Sequence, residues 1–336
     1  MLAMNHPTPS PSPALRVLML GATGTIGRAT VRALLRQGHT VVGLVRPCAG
    51  QPLPIWPETP GLSLRPCRLS DPESIAQDGL RGERFDAIVS CLASRTGEPE
   101  DAWAIDHQAH LNVLRLANKA GIGQFVLLSA ICVQRPQLAF QQAKRAFEQA
   151  LIESGMTYSI VRATAFFKSL SGQIDRVRRG KPFLVFGDGR MTACQPIADD
   201  DLADFLVGCL SDPARHNQVL PIGGPGPAIT PLDQARLLSQ ALGREVKVRR
   251  VPIGLMDAII GVLDLLARVW PRLRAKAELA RIGRYYATES MLVLDTVTGR
   301  YDADATPSWG TQTLAEHYAR VIRSGEAVDR GEHAVF

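Results

Sequence analysis

Three glycines near the start of the chain, in the segment Gly21-Ala22-Thr23-Gly24-Thr25-Ile26-Gly27, have the spacing of a phosphate-binding turn. The segment follows an apolar run that predicts a β-strand over residues 16–20 and precedes a helical pattern over 26–36. In this context the first glycine permits a sharp turn, the second lets a pyrophosphate approach the backbone, and the third lets helix and sheet pack closely. The free N–H groups of the helix would then bind phosphate. We therefore predict a dinucleotide site formed by Gly21, Thr23, Gly24, Thr25, Ile26 and Gly27.

The end of the second predicted strand, residues 40–45, indicates which dinucleotide is bound. Enzymes that use NAD usually place an acid there for the ribose hydroxyls, but this chain has Leu44-Val45-Arg46. Arg46, with Arg28 in the first turn of the helix, has the charge and geometry to bind a 2′-phosphate. The alternative is that both are ordinary surface cations. Because the acid is missing, we predict NADPH as the cofactor.

The order of elements predicts an α/β protein of the Rossmann type, a doubly wound parallel sheet with a smaller C-terminal substrate lobe. Residues 1–14 are expected to be a disordered tail, 15–162 the NADP-binding domain, and 163–336 the substrate lobe, with segments returning to the main sheet. The predicted strands span residues 16–20, 40–45, 62–68, 85–91, 124–129, 157–162 and 218–222. The predicted helices span residues 26–36, 104–120, 141–154, 199–210 and 232–242, with a further helix start at 70–72.

A second group of candidate residues lies around the fifth predicted strand, which Ser129 ends. The pattern resembles the extended or atypical branch of the short-chain dehydrogenase/reductase superfamily, in which a Ser acts with Tyr-x-x-x-Lys. The resemblance implies that Lys144 holds the nicotinamide ribose and that Ser129 belongs to the catalytic group. However, Phe140 occupies the tyrosine position, and a phenyl ring cannot transfer a proton. Reduction of a carbonyl by the usual mechanism is therefore not expected.

Six segments spread along residues 15–323 narrow the resemblance to the divinyl chlorophyllide 8-vinyl reductases. The most specific are the run at 281–291 and the Phe-for-Tyr exchange in 140–148; the others lie at 162–170, 222–226, 251–257 and 305–310. The resemblance implies reduction of the 8-vinyl group of 3,8-divinyl (proto)chlorophyllide to ethyl with NADPH. A negative charge formed in that reaction spreads through the macrocycle, so a strong acid at position 140 is less necessary.

The same resemblance suggests substrate contacts for a tetrapyrrole. Phe140, Phe166 and Phe167 are expected to pack against the flat ring, or else to be ordinary core residues. Lys168, Arg281 and Arg284 are expected to meet the propionate carboxylate, or else to be solvated surface charges. The proton donor stays open among Tyr285, Tyr286 and water, with Tyr285 also a candidate substrate contact.

The composition narrows the possible partners. The net charge of +6 comes from scattered Lys and Arg without a recognition motif, which favours an anionic ligand over nucleic acid. None of the six cysteines forms a metal-binding spacing, so we expect reduced core thiols and no metal site. The oligomeric state is not predicted.

The segment 251–270 is the most apolar part of the chain, but Asp257, Asp264 and Arg268 interrupt it. Its apolar residues recur at helical spacing, which predicts an amphipathic helix rather than a membrane span. Three interpretations are open: packing on the core or on a second subunit, a wall of an apolar ligand site, or contact with a membrane surface. We expect a cytoplasmic protein, with contact at the photosynthetic membrane as an alternative location.

Two other functions are compatible with the sequence. The missing tyrosine would suit a non-catalytic NADP(H)-sensing or assembly protein of the atypical branch. A reductase of another conjugated alkene or ether would share the cofactor site. The intact Lys144 and the long C-terminal resemblance favour the vinyl reductase.

Overall fold

The computed structural model describes residues 13–47 and 59–325. A seven-stranded sheet forms its centre, and every strand pairing in that sheet is parallel. The strands of the protein are β1 (Arg16–Leu20), β2 (Thr40–Val45), β3 (Leu62–Pro66), β4 (Ala87–Ser90), β5 (Gln124–Ala130), β6 (Thr157–Ala163), β7 (Phe183–Phe186), β8 (Gln218–Ile222), β9 (Val248–Val251), β10 (Val293–Leu294) and β11 (Tyr301–Asp302).

The central sheet has the strand order β3-β2-β1-β4-β5-β6-β8. From β1 the chain adds β2 and β3 on one side of the sheet, and it then returns to add β4, β5, β6 and β8 on the other side. The carboxyl ends of β1 and β4 therefore flank the point at which the order reverses, where open α/β sheets bind their ligands. The predicted α/β fold with a Rossmann-type parallel sheet is confirmed.

Some of the regular helices of the described residues cover the two faces of this sheet, and the others belong to the C-terminal lobe. The helices are α1 (Thr25–Arg36), α2 (Pro72–Ser74), α3 (Pro99–Ala102), α4 (His110–Lys119), α5 (Ala139–Glu153), α6 (Phe167–Leu170), α7 (Ile174–Arg178), α8 (Asp199–Gly208), α9 (Pro231–Leu242), α10 (Ile253–Ala267), α11 (Arg274–Thr288) and α12 (Leu314–Ser324). One apolar layer joins the sheet to α1 and α8, and the other joins it to α4 and α5. The sheet is thus buried on both sides, as its nearly continuous apolar strands require.

The helix predicted over residues 104–120 is longer and less regular than its periodicity suggested. It begins at Pro99, and the segment Trp103–Ala109 between α3 and α4 is π-helical. A π-helical turn contains more residues than an α-helical turn and changes which side chains face inward. This irregularity determines where Asp106 points.

The chain after β6 adds a smaller lobe and also rejoins the sheet. β8 pairs in parallel with β6, and α8 packs on α1 with ion pairs from Arg32 to Asp200 and from Arg36 to Asp204. The lobe has its own apolar core, built from α6, α7, α9, α12 and β7, and β7 pairs in parallel with β9. The exact division near residue 162 stays a prediction.

Two predictions fall on residues outside those described: nearly all of the expected tail at 1–14, and Cys48. The remaining five cysteines are free thiols. Burial is the main cause that raises the pKa of each of them, and Cys91 and Cys194 reach about 12. Such thiols stay protonated near neutral pH and are poor nucleophiles.

Candidate active site

The turn between β1 and α1 has a geometry that excludes any side chain at two of its glycines. Gly21 has φ +75°, and a Cβ there would lie 2.7 Å from backbone atoms of Cys91 and Leu92, just after β4. A Cβ on Gly27 would lie 1.9 Å from the carbonyl oxygen of Gly21. The first glycine lets the loops after β1 and β4 meet, and the last lets α1 pack against the turn.

The first turn of α1 is arranged for an anion. Gly24 is the N-cap, so no side chain caps the helix, and the first turn contains no acid. Backbone N–H groups and the positive end of the helix dipole therefore face outward from the turn. Arg28 donates from Nε to the carbonyl oxygen of Thr23, which places its guanidinium beside the same turn.

Lys168, which was expected to meet the propionate of the substrate, contacts this turn instead. Its Nζ donates to Oγ1 of Thr25 at 2.9 Å. Close by, burial raises the pKa of Asp199 to about 6; Asp200 adds to the rise, whereas Lys168 and Arg32 oppose it. The structure thus associates Lys168 with the predicted phosphate site rather than with Arg281 and Arg284.

The end of β2 supports the predicted choice of dinucleotide. Arg46 directly follows β2 and is exposed, and the residues from Leu44 to Pro47 include no acid. β2 lies beside β1, so this end of the strand opens next to the glycine turn. Arg46 thus follows the strand after which dinucleotide-binding folds place the residue that contacts the 2′-hydroxyl or 2′-phosphate.

We call the space beyond the carboxyl ends of β1, β4 and β5 the crevice. Beside it, Lys144 of α5 forms a buried charge pair. Its Nζ donates to Oδ1 of Asp106 at 2.9 Å, and the two side chains are 14% and 0% exposed. The N–H of Ser94 also donates to Oδ1 of Asp106, whereas Oδ2 is buried and has no partner among the described residues. A buried carboxylate oxygen normally has a hydrogen-bond donor, so this atom fits a hydroxyl group of a bound ligand. Sequence reasoning missed Asp106.

His110, one helical turn beyond Asp106, is fixed as a neutral side chain. Its Nδ1 donates to the carbonyl oxygen of Ile105, and its Nε2 accepts from Ser90 at the end of β4. Burial lowers the pKa of His110 to about 4, and the charge of Lys144 adds to this effect. Both ring nitrogens are thus engaged in the protein's own hydrogen bonds.

The hydroxyl of Ser129, which the resemblance assigned to the catalytic group, is bonded to another side chain of the protein. Ser129 is buried, and its hydroxyl donates to Oε1 of Glu148 in α5. Glu148 also accepts from Arg162 of β6, so the three form a buried polar group between β5, β6 and α5. Ser129 lies at the end of β5 as predicted, its hydroxyl is bonded within the protein, and its catalytic role stays a prediction.

Phe140 and the two tyrosines form one cluster at the start of α5. Phe140 is only 8% exposed and packs with Cys132, Ile282 and Tyr285, with Tyr286 at the margin of the cluster. Such packing leaves Phe140 little surface for a ligand. Phe140 lacks the hydroxyl group that a tyrosine would place here, but Tyr285 and Tyr286 of α11 lie in the same cluster.

The two tyrosines differ in what their hydroxyl groups contact. Tyr285 Oη donates to the carbonyl oxygens of Cys132 and Arg135, and the side chain is 4% exposed. Its predicted role as a substrate contact is therefore not supported by its surroundings. Tyr286 Oη has Sγ of Cys132 at 3.8 Å, and burial raises the pKa of Tyr286 so that it stays protonated.

The phenylalanines that follow β6 also differ. Phe167 is 3% exposed and packs in the core of the C-terminal lobe, with its ring 5.2 Å from that of His317. It cannot lie against a flat pigment without leaving that core, so its expected ring contact is not supported. Phe166 is half-buried against the layer of α1 and α8 and stays a candidate contact.

Arg281 and Arg284 have partners within the protein. Arg281 pairs with Asp264 at 2.5 Å and with Glu278, and Arg284 pairs with Asp257. The two aspartates belong to α10, so these ion pairs hold α10 and α11 together as a helical hairpin. The expected propionate contact would require these arginines to exchange or share their partners.

The hairpin of α10 and α11 borders the crevice. Ile282 of α11 packs so closely on Gly97 that a Cβ there would lie 2.6 Å from Cδ1 of Ile282. Tyr285 joins α11 to the segment after β5, as described above, and Arg135 pairs with Glu289 at 3.1 Å. α11 therefore packs against the loops that follow β4 and β5, on the side of the sheet where a dinucleotide-binding fold holds its ligand.

Within residues 13–47 and 59–325 no group of three or more His, Cys, Asp or Glu side chains is arranged to hold a metal ion. In the same ranges, no helix combines the length and the apolar character that crossing a bilayer requires.

The turn, the helix terminus and the parallel sheet define a nucleotide-binding protein of the Rossmann class. A family model described as NAD(P)H-binding matches residues 21–213, which confirms the predicted class of cofactor. The structure also resembles that of the NADPH-dependent quinone oxidoreductase QOR2 of Escherichia coli complexed with NADPH. The TM-score is 0.64 at 17% identity, covering 91% of this chain and 99% of that chain, so the likeness concerns the fold.

The chain belongs to the divinyl chlorophyllide a 8-vinyl-reductase family. It is 48% identical over 331 residues to the chloroplastic divinyl chlorophyllide a 8-vinyl-reductase of Oryza sativa subsp. indica, with 95% of this chain and 82% of that protein covered. Photosystem II assembly factor Ycf39 of Synechocystis sp. is a more distant relative, 27% identical over 248 residues and covering 72% of each chain. The family suggested by the sequence motifs is thus confirmed.

Proposed function

We propose that this protein uses NADPH to reduce the 8-vinyl group of 3,8-divinyl chlorophyllide, or of the corresponding protochlorophyllide, to an ethyl group. The observation that carries the proposal is the 48% identity to a divinyl chlorophyllide a 8-vinyl-reductase along nearly the whole chain. The similarity includes the α10–α11 region, beyond the part shared with NAD(P)H-binding proteins in general. Its support in the structure is the charged pair and tyrosine cluster beside the nucleotide crevice.

The residues around the glycine turn fit NADPH. The pyrophosphate would lie at the N-terminus of α1, with Gly24 at the close approach and Arg28 and Lys168 supplying positive charge. Arg46 would bind the 2′-phosphate. Lys144 and the unpartnered Oδ2 of Asp106 would bind the nicotinamide ribose hydroxyls, one as donor and the other as acceptor.

Reduction of the vinyl group adds one hydride and one proton. Bound NADPH supplies the hydride, and the protein must orient the ring, exclude water and provide or admit the proton. Phe166 and the α10–α11 hairpin would form the apolar border of the crevice. Of the two tyrosines, Tyr286 is the better proton donor, because the hydroxyl of Tyr285 is already bonded to two carbonyl oxygens.

A direct assay tests this function. Purified full-length protein is mixed with divinyl chlorophyllide or divinyl protochlorophyllide and NADPH, and the Soret band is followed. Conversion of vinyl to ethyl removes one double bond from the conjugated system, so we expect a blue shift of the band and a monovinyl product by mass spectrometry. Tight binding of NADPH without any shift would refute the reductase and favour the sensing or assembly function suggested by the phenylalanine at position 140.

The role of Arg46 makes a separate prediction. Arg46→Ala removes a charge-assisted contact to the 2′-phosphate, so the preference for NADPH over NADH should fall by about tenfold or more. The measurement is kcat/KM for each coenzyme. Arg84→Ala, a change of an exposed cation at the opposite ends of the strands, is the control and should leave the ratio unchanged. An unaltered ratio in Arg46→Ala would remove Arg46 from the site.

We also propose that the protein works at the periphery of the photosynthetic membrane, with a tetrapyrrole as its small-molecule partner. The proposed substrate is a flat, largely apolar pigment, and the exposed apolar side chains of α10 lie on the hairpin that borders the crevice. The expectation of a cytoplasmic location belongs to the same proposal and is tested by fractionating cells into membrane and soluble parts.

A further inference from the structure

The outer side of α10 and the turn after it form an exposed apolar face. We call it the α10 face, and its side chains are between 37% and 71% exposed. Of the fifteen residues of α10, only Ala267 is buried, so the interpretation that this helix packs on the core is wrong. The face consists of Leu255, Ile259, Val262, Leu265, Leu266, Val269 and Trp270. Contiguous apolar surface of this kind marks an interaction site.

The charged residues of α10 lie away from this face. Asp257 and Asp264 pair with Arg284 and Arg281 of α11, so both acids are engaged on the side of the neighbouring helix. The α10 face therefore carries no acid that would have to be desolvated when the surface is covered. The acids of α10 face α11, and its apolar side is not covered by any other part of the described chain.

The end of the α10 face is strongly basic. Arg268, Arg272, Arg274 and Lys276 are all exposed, and no Asp or Glu occurs between residues 265 and 277. Within the described ranges none of these four cations has an ion-pair partner. Trp270 lies among them and is 60% exposed. Apolar side chains, a tryptophan and a cluster of cations at one end are the composition of a helix that lies in a membrane interface.

We propose that the α10 face docks on the surface of a bilayer that contains anionic lipid. The apolar side chains would enter the boundary between headgroups and acyl chains, and the four cations would contact the headgroups. This inference deepens the location given above by assigning the membrane-binding residues. It does not depend on the reaction, because binding is measured without pigment or NADPH.

The test is sedimentation of the full-length protein with lipid vesicles. We expect the protein to sediment with vesicles of phosphatidylcholine and phosphatidylglycerol, and much less with phosphatidylcholine alone. Leu265→Ser combined with Val269→Ser should reduce the partition coefficient by about tenfold or more, because both side chains would be transferred to the apolar layer. Val297→Ser is the control, since Val297 is 92% exposed in the turn between β10 and β11, outside the α10 face, and should not contribute.

The charge contribution is tested separately. Arg268→Gln with Arg272→Gln should lower binding to the anionic vesicles by about 25-fold, at roughly fivefold for each interfacial cation. Added salt should have a similar effect, and Arg84→Gln should have none. Equal binding by the Leu265/Val269 variant and the wild type would overturn the proposal. Failure of the wild type to bind anionic vesicles would also overturn it. If the wild type then self-associates and the Leu265/Val269 variant does not, the α10 face is an interface between copies of this chain.

Discussion

The variant Lys144→Ala is expected to lose about 100-fold in kcat/KM with NADPH and the divinyl pigment. Of the expected Ser/Tyr/Lys group, the tyrosine is replaced by Phe140 and the Ser129 hydroxyl is bonded to Glu148. Lys144 is retained and borders the crevice. If it holds the nicotinamide ribose, its loss leaves the reacting carbon poorly placed, and a displacement of about 1 Å costs about this factor. KM for NADPH should rise as well.

Lys144→Ala should also destabilise the protein, and this loss of stability must be distinguished from the loss of activity. Lys144 neutralises Asp106, whose side chain is fully buried, and an unpaired buried carboxylate costs about 3 kcal/mol. In the double variant Lys144→Met with Asp106→Asn, no charge is left unpaired. Urea unfolding of this variant should therefore return close to the wild-type free energy, because a buried ion pair replaced as a whole often costs little.

The comparison of single and double variants decides the role of Lys144. We expect the double variant to be stable but still slow, since neither new side chain positions the ribose by charge. A stable double variant with wild-type turnover would show that the pair only stabilises the fold. Lys119→Ala, at an exposed lysine in the last turn of α4, is the control and should change neither stability nor turnover.

The central sheet could be predicted from the sequence because each of its strands is a short apolar run ended by a turn residue. Parallel strands buried on both faces have this appearance, and the alternation with helical periods leaves few topologies. The strand ends were less certain, as in the third strand, which stops at Pro66 rather than at residue 68. The short strands and helices of the C-terminal lobe were missed, because their packing depends on contacts distant in sequence.

Asp106 shows why part of the site could not be predicted. Asp106 lies in the helix predicted over residues 104–120, and a prediction from periodicity assumes α-helical spacing along the whole length of that helix. The π-helical segment Trp103–Ala109 changes this spacing and brings Asp106 to Lys144, 38 residues later. A signal was nevertheless present: an acid surrounded by residues of a buried helix needs a partner, and Lys144 was the cation already assigned to the site.

The predicted substrate cations illustrate a different difficulty. Asp257 and Asp264 were visible as interruptions of an apolar segment, and Arg281 and Arg284 as charges further along. Their pairing requires α10 and α11 to form a hairpin, and nothing in the local sequence fixes that packing. Likewise, the apolar periodicity of α10 predicted a helix correctly but could not say which surface covers it. Periodicity identifies an apolar face, whereas only the tertiary structure shows whether that face is buried.

Alanine substitutions at Gly27 and Gly24 should have different effects, although both residues belong to the same turn. At Gly27 a Cβ would meet the carbonyl oxygen of Gly21 at 1.9 Å, and backbone atoms cannot move aside as a flexible side chain would. We expect Gly27→Ala to lower the free energy of unfolding by about 3 kcal/mol and to abolish dinucleotide binding, because α1 must shift away from the turn.

Gly24→Ala should lose binding alone. Its backbone is in an extended conformation with φ −70°, and a Cβ there would approach only the carbonyl oxygen of Gly21, at an ordinary 3.6 Å. Stability should change by less than about 1 kcal/mol, because the restriction that alanine places on the unfolded chain is offset by its poorer fit at a helix N-cap. Affinity for NADPH should fall by about tenfold, because the methyl group occupies the approach of the pyrophosphate.

Urea unfolding and calorimetric titration with NADPH distinguish the two effects, with Gly123→Ala as the control at a glycine whose Cβ would meet nothing within 4 Å. If Gly24→Ala binds NADPH as tightly as the wild type, the pyrophosphate does not approach the backbone at Gly24. If it unfolds as readily as Gly27→Ala, the turn is strained in a way that its contacts do not show. A loss of binding at constant stability would instead establish that the ligand, rather than the fold, requires a glycine at this position.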